Sequence, residues 1–272
     1  MSSTIIQLIC PDQKGIIANL TSILYKSNNN ILSIEQHVDK EGKIFYIRIV
    51  AEKKLNNIFP KDKLISLGEK LNGKLNLFNP DKKINVAILG TKESTIIYDL
   101  LIKNQSNELK CNAPIVISNH NNLSSVAQQF NIDYFKIDSN KQLLEILKNK
   151  KVELIILARY MQIIPSEIVK LYKNNIINIH HGFLPAFKGA KPYHQAYNKG
   201  VKIIGATAHY VTDKLDEGPI ISQDIKHINH RYSIDEMIQI GREIERNVLY
   251  KAVKSHLEHK IIVYNNKTLV FK

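Results

Sequence analysis

The hydrophobic pattern of residues 84–179 constrains the fold of this chain more than any other feature. Short apolar stretches with the length of buried strands alternate there with segments whose apolar residues have helical spacing. The apolar stretches are residues 84–89, 114–118, 134–137, 152–158 and 176–179. The helical segments are residues 93–103, 123–130, 141–148 and 165–171. This alternation predicts an α/β, Rossmann-like domain with a mostly parallel, doubly wound sheet.

The segments on either side of this region complete the organisation. Before it, strands at 4–10, 31–38, 43–51 and 75–78 and helices at 14–27 and 60–73 predict an amino-terminal βαββαβ unit. After it come a long helix at 233–256 and short strands at 261–264 and 268–271. The polar, proline-containing stretch 79–83 is the best linker candidate. We therefore predict two domains, residues 1–80 and 84–272.

Composition narrows the class of protein. The chain has 272 residues, of which 44% are hydrophobic, and it has no apolar run of the roughly 20 residues that a membrane-spanning helix needs. The amino terminus lacks the pattern of a secretion signal. Cys10 and Cys111 are far apart and form no CxxC motif, which is typical of a reduced compartment. These features predict a soluble cytoplasmic protein without a membrane partner.

The net charge of +13 has two interpretations. It could attract a polyanion, either a nucleic acid or the acidic tail of a cofactor. Alternatively, it reflects compositional drift in a Lys-, Asn- and Ile-rich chain. The lysines are scattered, and no interleaving of basic and aromatic residues marks a nucleic-acid platform. We favour drift, with attraction of an acidic cofactor tail as a modest addition, and expect no nucleic-acid partner.

Candidate catalytic residues follow the predicted strands. Ligands bind beyond the carboxyl ends of the strands in open parallel sheets, and we expect 158–161, 178–181 and 212–219 to meet there. Asn178 and His180 are two residues apart on one strand, so both side chains point to the same face and could hold a developing oxyanion. Asp216 could orient the imidazole or accept a proton. Together they suit acyl or formyl transfer without a Ser or Cys nucleophile.

Structural roles remain open for the same three residues. An Asn at a strand end is usually a backbone cap, a single His is usually a satisfied structural group, and an Asp before Glu-Gly-Pro is usually a turn residue. The ten histidines lack the HExxH spacing of zinc sites, so we expect no metal. Residues 89–95 contain a single glycine and form neither a GxGxxG nor a Walker loop.

Three long motifs carry a family resemblance. Residues 178–197 (NIHHGFLPAFKGAKPYHQAY) and 205–220 (GATAHYVTDKLDEGPI) strongly resemble the signature of the formyltetrahydrofolate deformylases. Residues 10–15 (CPDQKG) resemble the start of that family's ACT domain. The similarity extends over nearly the whole chain. It implies an ACT-like regulatory or oligomerisation domain followed by a folate-dependent formyltransferase fold.

The resemblance also implies roles for particular residues. Asn178, His180 and Asp216 match the family's catalytic positions. The folate-binding positions of the family match Leu157, Tyr160, Met161, Gln162, Ile163, Ile164, Val211, Thr212, Asp213 and Leu215. The first six would line the pterin pocket, and the loop from Val211 to Asp216 would close over the ring.

The activity that the resemblance implies is hydrolysis of 10-formyltetrahydrofolate to tetrahydrofolate and formate. It would supply formate for purine synthesis and balance the folate pools. Water, positioned by Asp216 directly or through His180, would attack the formyl carbon, with the oxyanion held by the Asn178 amide and the imidazole. No cofactor is required, because the folate is the substrate. Its polyglutamate tail fits the positive charge of the chain.

Two rival functions are weighed against hydrolysis. The first is a formyltransferase acting on a small amine, for which the absence of a phosphate-binding loop at residues 89–95 disfavours a phosphorylated acceptor. The second is a non-catalytic regulatory homologue, which the retained catalytic residues disfavour. An amino-acid effector could bind the ACT-like domain between subunits of a homo-oligomer. Its candidate residues are Asp12, Gly15, Asn30 and Ile31, although a purely structural dimerisation role is equally open.

Overall fold

The computed structural model describes residues 2–53, 58–186 and 192–272. Contacts between residues divide the chain into two units. The first comprises residues 1–82 with Phe271 and Lys272, and the second comprises Lys83–Val270. No helix within the described ranges is both long and apolar enough to cross a membrane.

The amino-terminal unit has the predicted βαββαβ order. Its strands are β1 (Ser2–Pro11), β2 (Ile31–Asp39), β3 (Ile44–Lys53) and β4 (Lys74–Phe78), and its helices are α1 (Ile16–Lys26) and α2 (Lys61–Lys70). The strands form an antiparallel sheet in the order β2-β3-β1-β4. Leu20 and Leu64 of the two helices are buried in one apolar cluster with Ile6, Leu8 and Ile47 of the sheet. Cys10 is also buried there, and burial raises the pKa of its thiol to about 11.

The second unit is built on a seven-stranded sheet. Its strands are β5 (Val86–Leu89), β6 (Ile115–Ser118), β7 (Tyr134–Lys136), β8 (Leu154–Leu157), β9 (Ile176–His180), β10 (Ile203–Tyr210) and β11 (Ile220–His227). Its helices are α3 (Thr95–Gln105), α4 (Ser124–Gln129), α5 (Asn140–Asn149), α6 (Ser166–Leu171), α7 (Pro192–Asn198) and α8 (Ile234–Leu257), with a 3₁₀ turn at Asn121–Leu123. A hairpin of β12 (Ile261–Tyr264) and β13 (Lys267–Val270) follows α8.

The strand order β11-β10-β9-β8-β5-β6-β7 confirms the mostly parallel α/β sheet. Strands β5 to β9 are parallel, whereas β10 is antiparallel to β9 and β11 is antiparallel to β10. The sequence pattern did not predict β10, β11 or α7. Strand β10 is buried along nearly its whole length, so its small and apolar residues show no alternation that would predict a strand.

Alternation along the strands divides the core of this unit between the two faces of the sheet. Residues Ile177, Ile179 and Ala208 point to the face covered by α3, α4 and α8, which we call the α8 face. Leu157 and Ile176 point to the face covered by α5 and α6, which we call the α6 face. Asn178 and His180 have the parity of Ile176, so both side chains belong to the α6 face.

Candidate active site

Three polar side chains lie side by side on the α6 face of β9 and β10. His209 on β10 is directly opposite Asn178 in the antiparallel register, and Thr207 is opposite His180. The Nδ2 atom of Asn178 lies 3.2 Å from Nε2 of His209. The antiparallel pairing of β10 with β9 therefore adds a second imidazole to the Asn178 and His180 pair.

The hydrogen bonds of His209 define its tautomer when the ring is neutral. Its Nδ1 atom lies 2.9 Å from the carbonyl oxygen of Tyr210, which can only accept. The proton of the neutral ring therefore resides on Nδ1, and Nε2 accepts a hydrogen bond from Asn178. This bond fixes the orientation of the Asn178 amide, whose second N–H can serve a ligand.

Asp216 joins this group from the loop between β10 and β11. Its Oδ2 atom lies 3.3 Å from Nδ1 of His180, and its Oδ1 atom lies 3.6 Å from Nε2 of His209. The structure thus brings together all three predicted catalytic residues, Asn178, His180 and Asp216. It adds His209, for which the sequence predicted no catalytic role.

One expectation about this loop is wrong. Residues 212–219 do not leave from the carboxyl ends of the parallel strands, because β10 runs antiparallel to β9. The loop starts beside the amino end of β9, where the Val211 amide donates to the carbonyl oxygen of Ile176. It then folds over the α6 face, which is how Asp216 reaches His180.

The backbone and the charge of Asp216 are both unusual. Its φ of 55° lies in the left-handed region, which costs energy for a residue other than glycine. When the His209 ring is charged, its Nε2 donates to Asp216, and this hydrogen bond together with the charge of His180 lowers the pKa of Asp216, although burial acts in the opposite direction. Asp216 is therefore a carboxylate at neutral pH, suited to orienting imidazoles and stabilising positive charge on them.

Polar contacts hold the loop that carries Asp216. The side-chain amide of Asn266, in the β12–β13 turn, donates to the carbonyl oxygen of Glu217 at 3.0 Å. The hydroxyl of Thr268 donates to the carbonyl oxygen of Ile220. Ser166, at the start of α6, donates to the carboxylate of Asp213 at 2.6 Å. The last bond links the start of α6, two residues after the first segment predicted to bind folate, to the second such segment.

The segment after β8 has a buried and an exposed set of residues. Leu157, Tyr160 and Ile164 are buried in the core of the α6 face. Met161 and Ile163 are 59% and 80% exposed, and Gln162 between them is also exposed. Large exposed apolar side chains beside a polar cluster are typical of a ligand-binding surface.

The loop after β10 shows a similar division. Val211 packs against the same core, Thr212 is partly buried and donates from its hydroxyl to the Lys214 carbonyl oxygen, and Asp213 is exposed. Leu215 is 73% exposed. A pocket of about 380 Å³ lies beside the segment after β8, and its lining includes Tyr160, Gln162 and Asn119. The side-chain oxygen of Asn119 is buried without a hydrogen-bond partner.

A second polar group lies at the carboxyl ends of β8 and β9, on the α8 side. Arg159 pairs with Glu245 of α8 through two bonds, Nε to Oε2 at 2.7 Å and Nη2 to Oε1 at 2.6 Å. The hydroxyl of Tyr193 donates to the same carboxylate at 2.8 Å. The ring of His181 lies 6.4 Å from that of Tyr193 and 5.5 Å from that of His180. We call Arg159, Glu245, Tyr193 and His181 the rim cluster.

The four proposed effector residues do not form one site within a single chain. Asp12 and Gly15 lie in the loop before α1, and Gly15 has a φ of 86°. Asn30 and Ile31 lie after α1, where the carbonyl oxygen of Asn30 accepts from Glu52. The 11 residues of α1 separate the two pairs by about 16 Å.

The described residues are 2–53, 58–186 and 192–272, and their acidic, His and Cys side chains are not arranged as metal ligands. Within these ranges, no group of three or more His, Cys, Asp or Glu side chains could hold a metal ion. The available chemistry is thus that of an amide, two imidazoles and a carboxylate: hydrogen-bond donation to an oxyanion and proton transfer.

Comparison with known proteins identifies the domain class of each unit and the family of the whole chain. Residues 4–58 match the family model of the ACT domain, and residues 84–253 match that of the formyl transferases. Two relatives carry the name formyltetrahydrofolate deformylase. The protein from Synechocystis sp. is 42% identical over 96% of both chains, and that of Escherichia coli K12 is 40% identical over 98% of this chain and 97% of its own.

A solved structure agrees with these relatives. The crystal structure of a formyltetrahydrofolate deformylase from Pseudomonas syringae pv. tomato superposes with a TM-score of 0.96 at 35% identity. The match covers 100% of this chain and 95% of the other. The chain belongs to the formyltetrahydrofolate deformylase family.

Proposed function

We propose that this protein hydrolyses 10-formyltetrahydrofolate to tetrahydrofolate and formate. The observation that carries the proposal is the position of the Asp216 carboxylate, within 3.6 Å of two imidazoles whose neighbour is the Asn178 amide. Such a group can polarise one small carbonyl and move one proton beside it. The names of the full-length relatives support the same reaction.

The proposed mechanism assigns one task to each group. Asn178 donates an N–H to the formyl oxygen, and its bond to His209 keeps the amide in place. Asp216, ionised, orients His180 through Nδ1, so that Nε2 of His180 takes a proton from the attacking water. The water oxygen bonds to the formyl carbon and the tetrahedral intermediate forms. The proton then passes from His180 to the folate nitrogen as the carbon–nitrogen bond breaks.

We assign the folate to the space between the two segments on the α6 face. The exposed side chains of Met161, Ile163 and Leu215 supply apolar contact for the flat pterin. Backbone groups of both segments supply the hydrogen bonds that its polar edges need. The hydrogen bond between Ser166 and Asp213 keeps these segments at a fixed spacing.

No metal or cofactor has a task in this mechanism. The formyl group is already activated by its attachment to the folate, and the charge that develops is carried by the amide, the imidazoles and the carboxylate. We place the protein in the cytoplasm as a source of formate for purine synthesis, where its two buried thiols fit a reducing compartment.

Effector binding by the ACT domain is a separate part of the proposal. Gly15, with its left-handed backbone, opens α1 beside Asp12, and a small amino acid would bind this loop and the Asn30-Ile31 loop of another subunit in a homo-oligomer. Light scattering would give the oligomeric state. Thermal-shift measurements with individual amino acids would test effector binding. No shift with any of them would reject effector binding and would leave the hydrolase proposal unchanged.

One assay tests the enzymatic proposal most directly. Purified protein is incubated with 10-formyltetrahydrofolate, and formate and tetrahydrofolate are measured with and without added amines. We expect equal amounts of both products without any amine. Tetrahydrofolate release that requires an amine and yields a formylated amine instead of formate, or no release at all, would contradict hydrolysis.

A further inference from the structure

Arg159 breaks the alternation of β8. If the strand continued, the Arg159 side chain would share the α6 face with Leu157, which lies two residues earlier. Instead, Arg159 has a φ of 54°, in the left-handed region. Its side chain crosses to the α8 side and pairs with Glu245. Backbone strain at this point thus brings a charge to the carboxyl ends of the strands.

The rim cluster is tightly packed. Glu245 is 0% exposed and Arg159 is 17% exposed. A β-carbon at Gly241, one turn before Glu245 on α8, would lie 2.1 Å from the Tyr193 hydroxyl, so the helix approaches Tyr193 as closely as a glycine allows. Burial lowers the pKa of His181 to about 4, so its ring is neutral at physiological pH. Side chains therefore fill the space between α8 and the end of β8, and a small cavity of about 90 Å³ remains beside His181 and Tyr193.

The position of the rim cluster affects which second reactant can reach the formyl carbon. In the proposed function, folate approaches His180 along the α6 face. A second reactant has to reach the formyl carbon from elsewhere, and the carboxyl ends of β8 and β9 offer the other approach. His181 and the Arg159–Glu245 pair stand there. The domain matches a family model described as formyl transferase, so the same fold is associated with transfer as well as hydrolysis.

We propose that the rim cluster determines acceptor specificity: it leaves room for water at the formyl carbon and closes the approach that an amine would need. This inference rests on the proposed deformylase activity. In the normal reaction a water oxygen bonds to carbon, the bond from carbon to the folate nitrogen breaks, and one water proton moves to that nitrogen. With an amine, the new bond is to the amine nitrogen, and the amine supplies the proton.

The hydrogen bonds within the rim cluster also disfavour binding of an amine. The carboxylate of Glu245 is satisfied by the guanidinium and the tyrosine hydroxyl, so it does not offer an open acceptor to an incoming amine. Removing only one member would leave a buried unpaired charge, which is strongly destabilising. An informative test must therefore change the pair together.

The experiment compares two double variants of the rim cluster: one replaces the Arg159–Glu245 pair by small residues (the emptied variant), and the other replaces it by large apolar residues (the filled control). The emptied variant carries Arg159→Gly and Glu245→Ala, since glycine accepts the left-handed backbone. The matched control carries Arg159→Met and Glu245→Leu, which removes both charges but keeps most of the volume. Each is incubated with 10-formyltetrahydrofolate and glycinamide, a small primary amine. Formate and N-formylglycinamide are quantified by mass spectrometry, and thermal unfolding verifies the fold.

We expect wild type and the filled control to yield formate with background N-formylglycinamide. In the emptied variant the ratio of formylated amine to formate should rise at least about tenfold, a change of about 1.4 kcal/mol in acceptor discrimination. A folded, active emptied variant with the wild-type ratio would overturn the proposal, as would wild type that formylates glycinamide readily. If the emptied variant does not fold, Arg159→Gly with Glu245→Gln is measured against the same criteria.

The two proposals fail differently. Wild type that releases no formate in the absence of glycinamide would contradict the deformylase activity itself. Formate release by every variant at an unchanged product ratio would leave that activity intact and would reject only the role of the rim cluster.

Discussion

Gly218 lies so close to Tyr210 that a β-carbon on it would be 1.7 Å from the Tyr210 carbonyl oxygen. This approach closes the loop between β10 and β11, because the amide of Tyr210 also donates to the carbonyl oxygen of Pro219. Asp216 is two residues before Gly218. The position of the carboxylate therefore depends on the absence of a side chain at residue 218.

Substitution of this glycine should disable the enzyme. Gly218→Ala forces the loop to move, and we expect kcat to fall by about 100-fold, since a displacement of about 1 Å has such an effect on catalytic groups. Steady-state formate release gives the measurement. Gly200→Asn is the matched control, because nothing lies within 4 Å of a β-carbon there and Asn tolerates its positive φ. Normal turnover by Gly218→Ala would show that the loop accommodates the methyl group.

The carboxylate and the imidazole next to it should both be required. Asp216→Asn preserves size but removes the charge, and His180→Ala removes the proposed proton carrier. Each should lower kcat by about 100-fold or more, the scale of losing a proton-transfer group. Asp224→Asn, on β11, is the control and should be unaffected. Near-wild-type formate release by either active-site variant would contradict the assignment.

His209 should contribute by orienting Asn178. In His209→Gln the side-chain oxygen can still accept the Asn178 hydrogen bond, whereas His209→Ala leaves the amide without this partner. We expect kcat of the alanine variant to fall by about 100-fold, the scale of losing an oxyanion donor, and the glutamine variant to recover part of it. Equal activity of the two variants would show that His209 does not act by orienting Asn178. A lower kcat at an unchanged KM would indicate loss of orientation, whereas a higher KM would indicate weaker substrate binding.

Acidification should destabilise the protein through His256. Burial lowers the pKa of His256 to about 4, and its Nδ1 lies 2.8 Å from the Tyr210 hydroxyl. Between about pH 6.5 and 4 the unfolded chain binds a proton here that the folded protein does not, so stability falls as pH falls. The loss attributable to this residue is about 3 kcal/mol.

Urea unfolding between neutral pH and the acidic end of this range measures the effect. His256→Asn retains a hydrogen-bond acceptor for Tyr210 without an ionisable ring, so its free energy of unfolding should fall less on acidification. His227→Asn, which changes an exposed imidazole on β11, should keep the wild-type pH dependence. The same slope in wild type and His256→Asn would refute the prediction.

Local patterns made most of the fold predictable. Each strand from β5 to β9 is a short apolar run between turn residues, and the spacing of Asn178 and His180 alone places them on one face. Asp216 was proposed as a group that orients the imidazole, but the local pattern gave no indication of how its loop reaches His180. The antiparallel register of β10 brings His209 opposite Asn178, and such pairing between distant segments leaves no periodic signal.

The remaining features depend on backbone conformations that side-chain patterns do not encode. Asp216 and Arg159 both have left-handed φ values, and each sends its side chain where simple strand alternation would not. Glycine at either position would have suggested a turn of this kind, but Asp and Arg gave no such signal. The pairing of Arg159 with Glu245 spans 86 positions and was not anticipated.

The β12–β13 hairpin links the order of the Asp216 loop to a distant part of the chain. Asn266 and Thr268 of this hairpin donate to the carbonyl oxygens of Glu217 and Ile220, which lie 49 and 48 positions earlier in the sequence. A two-stranded hairpin is only marginally stable by itself, and its local opening would break both bonds together. A substitution that loosens this hairpin would therefore loosen the loop that carries Asp216, although no residue of the hairpin is in the polar cluster.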